Sequence, residues 1–301
     1  MKFNYVQIGS KNYRKLADFY IKVLDFKEVK KNEYLKNKEG VILTAPGFSD
    51  DNPIYFGIVK AEKGTNAKIN DIGYAHTCYE TVDVKACVKR LLKYGGSFQS
   101  TLKYPKLNPC VYCKDPEGNV VEFHIPFPSP DTKLFLTISS LLGLKHDKGI
   151  RKELGNSGIK FIHVNMISND WTKLSSFYKN VFGATDFGKL KDHSGAYKEK
   201  VIGIKNVHVI GHHILLPNYY LSYPTFEVFT YLIKGRSEAC DDDSLGINAI
   251  GLETTDLDKD IELIEKSGGN LIKKNDDLTV MSDIQGGIIY LKNACTANEL
   301  T

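Results

Sequence analysis

Arginine is scarce in this chain: only Arg14, Arg90, Arg151 and Arg236 occur among 40 lysines and arginines. Two of them fall on expected helices and two in linker or loop, so bidentate clamping of a carboxylate or phosphate is not expected to dominate any pocket. Cysteine is sparse too. Six thiols at no zinc-finger spacing exclude a disulfide framework and predict reduced cysteines. The lone CxxC, Cys110 and Cys113, lies in an expected strand, where i and i+3 face opposite sides. No apolar run approaches the roughly 18 residues a membrane helix needs, and the N-terminus lacks a signal-peptide core, so a soluble, cytoplasmic protein is expected. A net charge of +4 with no basic block interleaved with aromatics gives no reason to expect a nucleic-acid partner. The single tryptophan, Trp171, follows an expected N-cap at Asp170 and reads as a packing residue.

The chain does contain repetition. KLADFYIKVLDF (Lys15–Phe26) returns as KLSSFYKNVFGA (Lys173–Ala184), and GYAHTCYETVDV (Gly73–Val84) returns as GINAIGLETTDL (Gly246–Leu257). KDPEGNVVEF (Lys114–Phe123) returns more weakly as SDIQGGIIYL (Ser282–Leu291). Each module opens with a short apolar stretch (FNYVQIG, IGYAHTCYE, KFIHVNMI or INAIGLE) followed by helical periodicity. Leu16, Phe19, Tyr20, Val23 and Leu24 fall at i, i+3, i+4, i+7 and i+8, and Leu174, Phe177, Tyr178, Val181 and Phe182 repeat the pattern. Asp83, Asp170 and Asp256 stand at N-cap positions, and Gly95-Gly96 and Gly268-Gly269 at helix ends. Strand-like runs such as VILTAPG and NPIYFGIV follow, with DPEG and IQGG marking hairpins. The expectation is an α+β fold of four βαβββ modules: an N-terminal domain at 1–127, a linker at 128–158 with a short helix over Leu134–Leu142, and a C-terminal domain at 159–295.

Two His–Glu pairs sit at matching places in these modules, His76 with Glu122 and His163 with Glu227. Two imidazoles and two carboxylates suit a divalent metal of borderline softness, such as Zn, Ni, Co, Mn or Fe. The other histidines are weaker candidates: His208, His212 and His213 lie on expected strands of the third module, where a pocket-facing one could act as a proton shuttle but an ordinary strand position is the stronger expectation. His124 is expected at a strand end near Glu122, and His146 and His193 in linker and loop.

FYIKVLDF, SSFYKNVFGA, GYAHTCYETVDV and DPEGNVVEFH resemble the vicinal oxygen chelate superfamily, which includes glyoxalase I, methylmalonyl-CoA epimerase, extradiol dioxygenases, fosfomycin-resistance enzymes and metal-free bleomycin-binding proteins. The resemblance implies two half-open, barrel-like sheets with flanking helices and metal ligands on the first and last strands of each module. Carried over residue by residue, the first-strand slots are Tyr5, His76, His163 and Ala249, and the last-strand slots are Phe56, Glu122, Glu227 and Tyr290. The outer modules have lost both ligands and the inner modules keep both. Module two is therefore expected to pair with module three, and one with four. That pairing assembles one metal site from His76, Glu122, His163 and Glu227, and one degenerate site around Tyr5, Phe56, Ala249 and Tyr290.

The resemblance implies a metal-dependent lyase or isomerase of glyoxalase or epimerase type, acting on a small oxygenated molecule through an enediolate or enolate. Glu122 and Glu227 are the candidate bases, and His76 and His163 the structural ligands. The places that hold arginines in glutathione-using members correspond to Ile72 and Ile167, which cannot clamp a carboxylate. The alternatives are an extradiol-type dioxygenase, disfavoured by a fourth protein ligand, and a small-molecule-binding or resistance protein using the degenerate site. A fused chain of this kind can complete its site as a monomer, and a homodimer stays open.

Overall fold

The computed structural model describes residues 1–30, 33–35, 38–64, 68–81, 83–102, 110–125, 158–217, 219, 224–236, 238–275 and 278–294. The expected linker and its helix over Leu134–Leu142, with His146, lie outside these residues apart from Gly158.

Module one comprises β1 (Lys2–Ser10), α1 (Tyr13–Leu24), β2 (Lys27–Val29), β3 (Gly40–Thr44) and β4 (Tyr55–Lys60). Module two comprises β5 (Gly73–Thr81), α2 (Val84–Lys93), β6 (Ser97–Phe98), β7 (Cys110–Lys114) and β8 (Val120–His124). Module three comprises β9 (Ile159–Ile167), α3 (Trp171–Phe182), β10 (Thr185–Ser194), α4 (Ala196–Ile202), β11 (His208–Leu215) and β12 (Thr225–Tyr231). Module four comprises β13 (Gly246–Thr254), α5 (Leu257–Lys266), β14 (Asn270–Lys274), β15 (Thr279–Ser282) and β16 (Ile288–Asn293).

The helices start where the sequence supplies acceptors. Asp83 accepts from Ala86 N, Asp170 from Thr172 N and Lys173 N, and Asp256 from Lys259 N, each satisfying a free amide of the first turn. Asn12 does the same for α1 through Lys15 N. The Gly-Gly pairs end two helices alike. Gly95 and Gly268 take φ of +94° and +92°, and the amides of Gly96 and Gly269 return to Leu91 O and Ile264 O at 2.9 Å. The apolar face of each helix, for example Leu16, Phe19, Tyr20 and Val23 of α1, buries against the outer face of a sheet.

The modules pair crosswise. One eight-stranded sheet runs β14-β15-β16-β13-β1-β4-β3-β2 and joins modules four and one; the other runs β10-β11-β12-β9-β5-β8-β7-β6 and joins three and two. At each centre two first strands meet antiparallel, β1 with β13 and β5 with β9, and each lies parallel to its own module's last strand. The two sheets share a continuous apolar core that includes Phe3, Phe26, Phe56, Tyr79, Phe161 and Phe226.

Module three departs from the expected pattern. Its second strand is long and largely exposed, and α4 follows it as an extra helix. This short helix ties the β10 edge of its sheet to the opposite edge. Thr101 N donates to Lys200 O at 2.9 Å, Gln99 Nε2 donates to Ile202 O at 3.0 Å, and Ser100 Oγ donates to Val201 O. Gly203 ends the helix at φ +82° against Gln99, where a Cβ would meet the Gln99 carbonyl. The sheet is thus strapped across its open side without closing into a barrel.

Candidate metal site

Register explains why four side chains from four strands meet. His76 lies opposite Val120 in the parallel β5–β8 pair, so Glu122, two residues further on, projects from the same face. In β9–β12 His163 lies opposite Thr225, and Glu227 follows by the same interval. The central β5–β9 pairing sets the two units side by side, with Cys78 opposite His163.

The four ligand-type atoms lie within 4.8 Å of one another, and all four residues are buried. His76 Nε2 stands 3.2 Å from Glu122 Oε2 and 3.5 Å from Glu227 Oε2. His163 Nε2 stands 3.4 and 3.5 Å from the same two oxygens, and the two Nε2 atoms are 3.4 Å apart. An ion about 2.0–2.1 Å from each corner of a regular tetrahedron requires edges of about 3.3–3.4 Å. Five of the six edges of the donor set therefore match a small divalent cation in size, and all four donors match it in chemistry. Two imidazole nitrogens facing each other at this separation also want a common electrophile between their lone pairs.

The surroundings of the two carboxylates differ. Burial alone would raise the pKa of each. For Glu122 the adjacent His163 and His76 outweigh burial and hold it well below the usual carboxylate range. For Glu227 the counterweights are Lys191, His163 and His213. Lys191 Nζ donates to Glu227 Oε1 at 3.0 Å, and Asn165 Nδ2 donates to both Glu227 Oε2 and its backbone carbonyl at 3.1 Å. His213 Nε2 is 3.2 Å from Glu227 Oε1, and its Nδ1 meets Thr225 Oγ1 at 2.8 Å. Burial and the nearby Lys191 push the His213 imidazole down to about 4. Glu227 is thus anchored by Lys191 and Asn165, whereas Glu122 is held by the two imidazoles.

One flank of the site is apolar. Ile72, Ala75, Val120, Ile167, Phe229 and Tyr231 cluster there, capped by Val201 and Ile202 of α4. Ile72 and Ile167 are accordingly wall residues, 5% and 2% exposed.

His213 is the histidine of its trio that reaches the site; His208 pairs with Asp192 at 2.8 Å, and His212 packs on Trp171 and lies 3.0 Å from Asp186. His124 is buried at the end of β8, and its ring meets the Ile125 carbonyl. His193, expected in a loop, lies on β10. Cys113 packs in the core, while Cys110 lies against the apolar flank, as opposite faces of one strand require. Lys191 and Asn165 are the residues that sequence reasoning missed. The alternation of Lys189, Lys191 and His193 along β10 was the available signal.

The degenerate slot needs one correction. Tyr5, Ala249 and Tyr290 do share a cluster, but Phe56 is not in it. Tyr5 lies opposite Tyr55 in β1–β4, so the position equivalent to Glu122 is Gly57. Phe56, one residue away, points to the other face and packs on Phe26 and Phe161 at ring separations of 4.9 and 5.1 Å. The slot itself is filled by the protein's own rings. Tyr5 stacks on Tyr34 at 4.1 Å and lies 6.0 Å from Tyr290. Tyr290 donates to Asp242 at 2.5 Å, and Gln7 Nε2 donates to Asn248 and the Asp242 carbonyl at 2.9 Å.

Among known proteins, residues 2–123 match the family model of the Glyoxalase/Bleomycin resistance protein/Dioxygenase superfamily. A lactoylglutathione lyase from Pseudomonas putida is 26% identical over 148 residues, spanning 42% of this chain and 86% of that protein. The fold is similar to crystal structures of glyoxalase I from Zea mays. A mutant of the maize enzyme superposes with a TM-score of 0.66 at 11% identity over 97% of this chain and 92% of the maize chain, and another glyoxalase I structure gives 0.64 at 12% over 97% and 92%. No described helix is long and apolar enough to cross a membrane. Residues 2–123 thus resemble a domain of the Glyoxalase/Bleomycin resistance protein/Dioxygenase superfamily, within a fold similar over 97% of this chain to that of maize glyoxalase I.

Proposed function

We propose that this protein is a metal-dependent lyase or isomerase that shifts a carbon-bound proton on a small oxygenated molecule, with His76, Glu122, His163 and Glu227 as the ligands of one divalent ion. The observation that carries this reading is the convergence of two imidazole nitrogens and two carboxylate oxygens into one buried group, five of whose six edges measure 3.2–3.5 Å. Such an ion, once bound, would supply Lewis-acid stabilisation for the negative charge that develops on substrate oxygen as an enediolate or enolate forms.

The chain's own residues would divide the remaining work. His76 and His163 hold position, since they come from the two central, fully paired strands. Glu227 is held by Lys191 and Asn165, which suits a permanent ligand. Glu122 has fewer ties and is the better candidate to swing toward substrate and take the proton, provided substrate binding raises its pKa toward the working pH. The apolar flank of Ile72, Ile167 and Phe229 would exclude water from that transfer. Ile72 and Ile167 give glutathione's carboxylates nothing to bind, so a smaller substrate than a glutathione adduct is the better fit. Because each proposed domain, 1–127 and 159–295, contributes one His–Glu pair, a monomer would suffice.

Metal analysis of the purified full-length protein beside its His163→Ala variant tests the reading. About one divalent ion per chain, lost in the variant, is expected. Two ions per chain, or equal metal in both proteins, would overturn it.

A further inference from the structure

The cation beside the metal quartet has an unused donor. Lys191 Nζ gives one N–H to Glu227 Oε1 at 3.0 Å and has His213 Nε2 at 2.7 Å, a ring nitrogen free to accept because its Nδ1 meets Thr225. An ammonium carries three N–H groups. The third has no protein hydrogen-bond partner among the described residues. The side chains of the four quartet residues are 1–6% exposed, whereas that of Lys191 is 30% exposed, so the free donor stands on the open side of the site. Ile72, Ile167 and residues of α4 form an apolar wall of the site, and Lys191 Nζ stands 5.8 Å from the centre of the Phe229 ring in that wall. Lys191 is also the one lysine or arginine in ion-pair contact with the quartet among the described residues.

Charge bookkeeping then points to a ligand. Two carboxylates and two neutral imidazoles balance a divalent ion, and Lys191 leaves the assembly one positive unit in excess. A neutral substrate would leave that charge unmatched in a half-buried place, while a carboxylate would match it. Lys191 is one carboxylate group removed from the ligand oxygen of Glu227, so one small molecule can meet the metal and the ammonium with adjacent oxygens. We infer that Lys191 is the substrate-anchoring residue of the site, and that the substrate is a small α-oxygenated carboxylic acid. Its carboxylate takes the free N–H of Lys191 while its neighbouring oxygen faces the quartet. This rests on the metal reading above.

The competing role for Lys191 is to lock Glu227, and the two roles separate experimentally. Full-length protein loaded with cobalt(II) would be titrated with oxalate and with hydroxyacetone, a neutral probe that also bears adjacent oxygens. Cobalt's visible spectrum reports binding, and cobalt per chain is measured on the same samples. With Lys191→Met, oxalate affinity is expected to fall about tenfold or more, as befits loss of a charge-assisted hydrogen bond. Hydroxyacetone affinity and cobalt content should stay unchanged, and Lys191→Arg should retain most of the oxalate affinity. Equal weakening of both probes, or loss of cobalt in Lys191→Met, would assign Lys191 to Glu227 alone and overturn the inference. A chain that takes up no divalent metal fails the proposed function, and the anchoring role falls with it. A cobalt-loaded chain whose oxalate affinity ignores residue 191 fails the anchoring role alone.

Discussion

Replacing Gly57 with alanine adds one methyl group at the place where the other sheet carries Glu122. Built on the present backbone, that Cβ would strike the Tyr5 hydroxyl and lie 2.7 Å from its Cζ and 2.9 Å from its Cε2. The ring has little room to retreat. Tyr5 is fully buried, stacks on Tyr34 at 4.1 Å and hydrogen-bonds Gln7 at 3.3 Å, and Gln7 is itself tied to Asn248 and Asp242. Over-packing a filled core costs about 1–3 kcal/mol. At this chain length each kcal/mol lowers Tm by roughly 2–4 °C, so a loss of several degrees is expected by differential scanning fluorimetry. In a Tyr5→Val background the ring is gone, and the same Gly57→Ala change should cost almost nothing. The double-mutant cycle should therefore show a coupling of about 1–3 kcal/mol. An undiminished Tm for Gly57→Ala, or an equal cost with and without the Tyr5 ring, would refute the view that this slot is a filled space.

Two other outcomes follow from the same structure. Asp115 and Asp283 occupy equivalent hairpins, Asp115 with the Tyr20 hydroxyl at 3.3 Å and Asp283 with that of Tyr178 at 3.4 Å, and burial pushes both carboxyls up to about 6. A folded pKa above the unfolded one means that each contributes stability that is complete below the unfolded value of about 4 and is lost as pH rises through about 6. Urea denaturation of Asp115→Asn and wild type should show the wild type losing up to ~3 kcal/mol relative to the variant between pH 4 and 7; a constant difference would contradict this. Separately expressed halves, 1–127 and 159–295, are each expected to bind no stoichiometric metal on dialysis and elemental analysis, since each supplies one His–Glu pair; a half that retains one ion would break the single-site scheme.

Much of this arrangement was legible in the residues. The repeats marked four modules, and Asp83, Asp170 and Asp256 cap helices as placed. The uneven survival of His and Glu pointed to crosswise pairing, which the sheets display. What escaped was set by tertiary context. Phe56 and Gly57 lie in a strand buried on both faces, so YFGIV offers no polar–apolar alternation to say which residue looks inward. The polar run from Thr185 to Ser194 has no apolar period, because it is an edge strand held by one neighbour, and Lys191 was hidden in it. The helix that straps the sheet, α4, is only seven residues long, too short for periodicity to reveal it.

The crosswise pairing also has a consequence for synthesis. Strand β1 leaves the ribosome well ahead of one of its two central neighbours, β13, which begins at Gly246. At about 5–20 residues per second, roughly 10–50 s pass before that neighbour exists. Through that interval the nascent chain presents the Lys2–Ser10 edge, whose residues are buried almost throughout in the finished protein. Such an edge can template wrong pairings, and the repeat offers a near-copy of the right partner, since β5 resembles β13 in sequence and emerges sooner. Faithful assembly of this chain is therefore a contest between an early approximate partner and a late correct one.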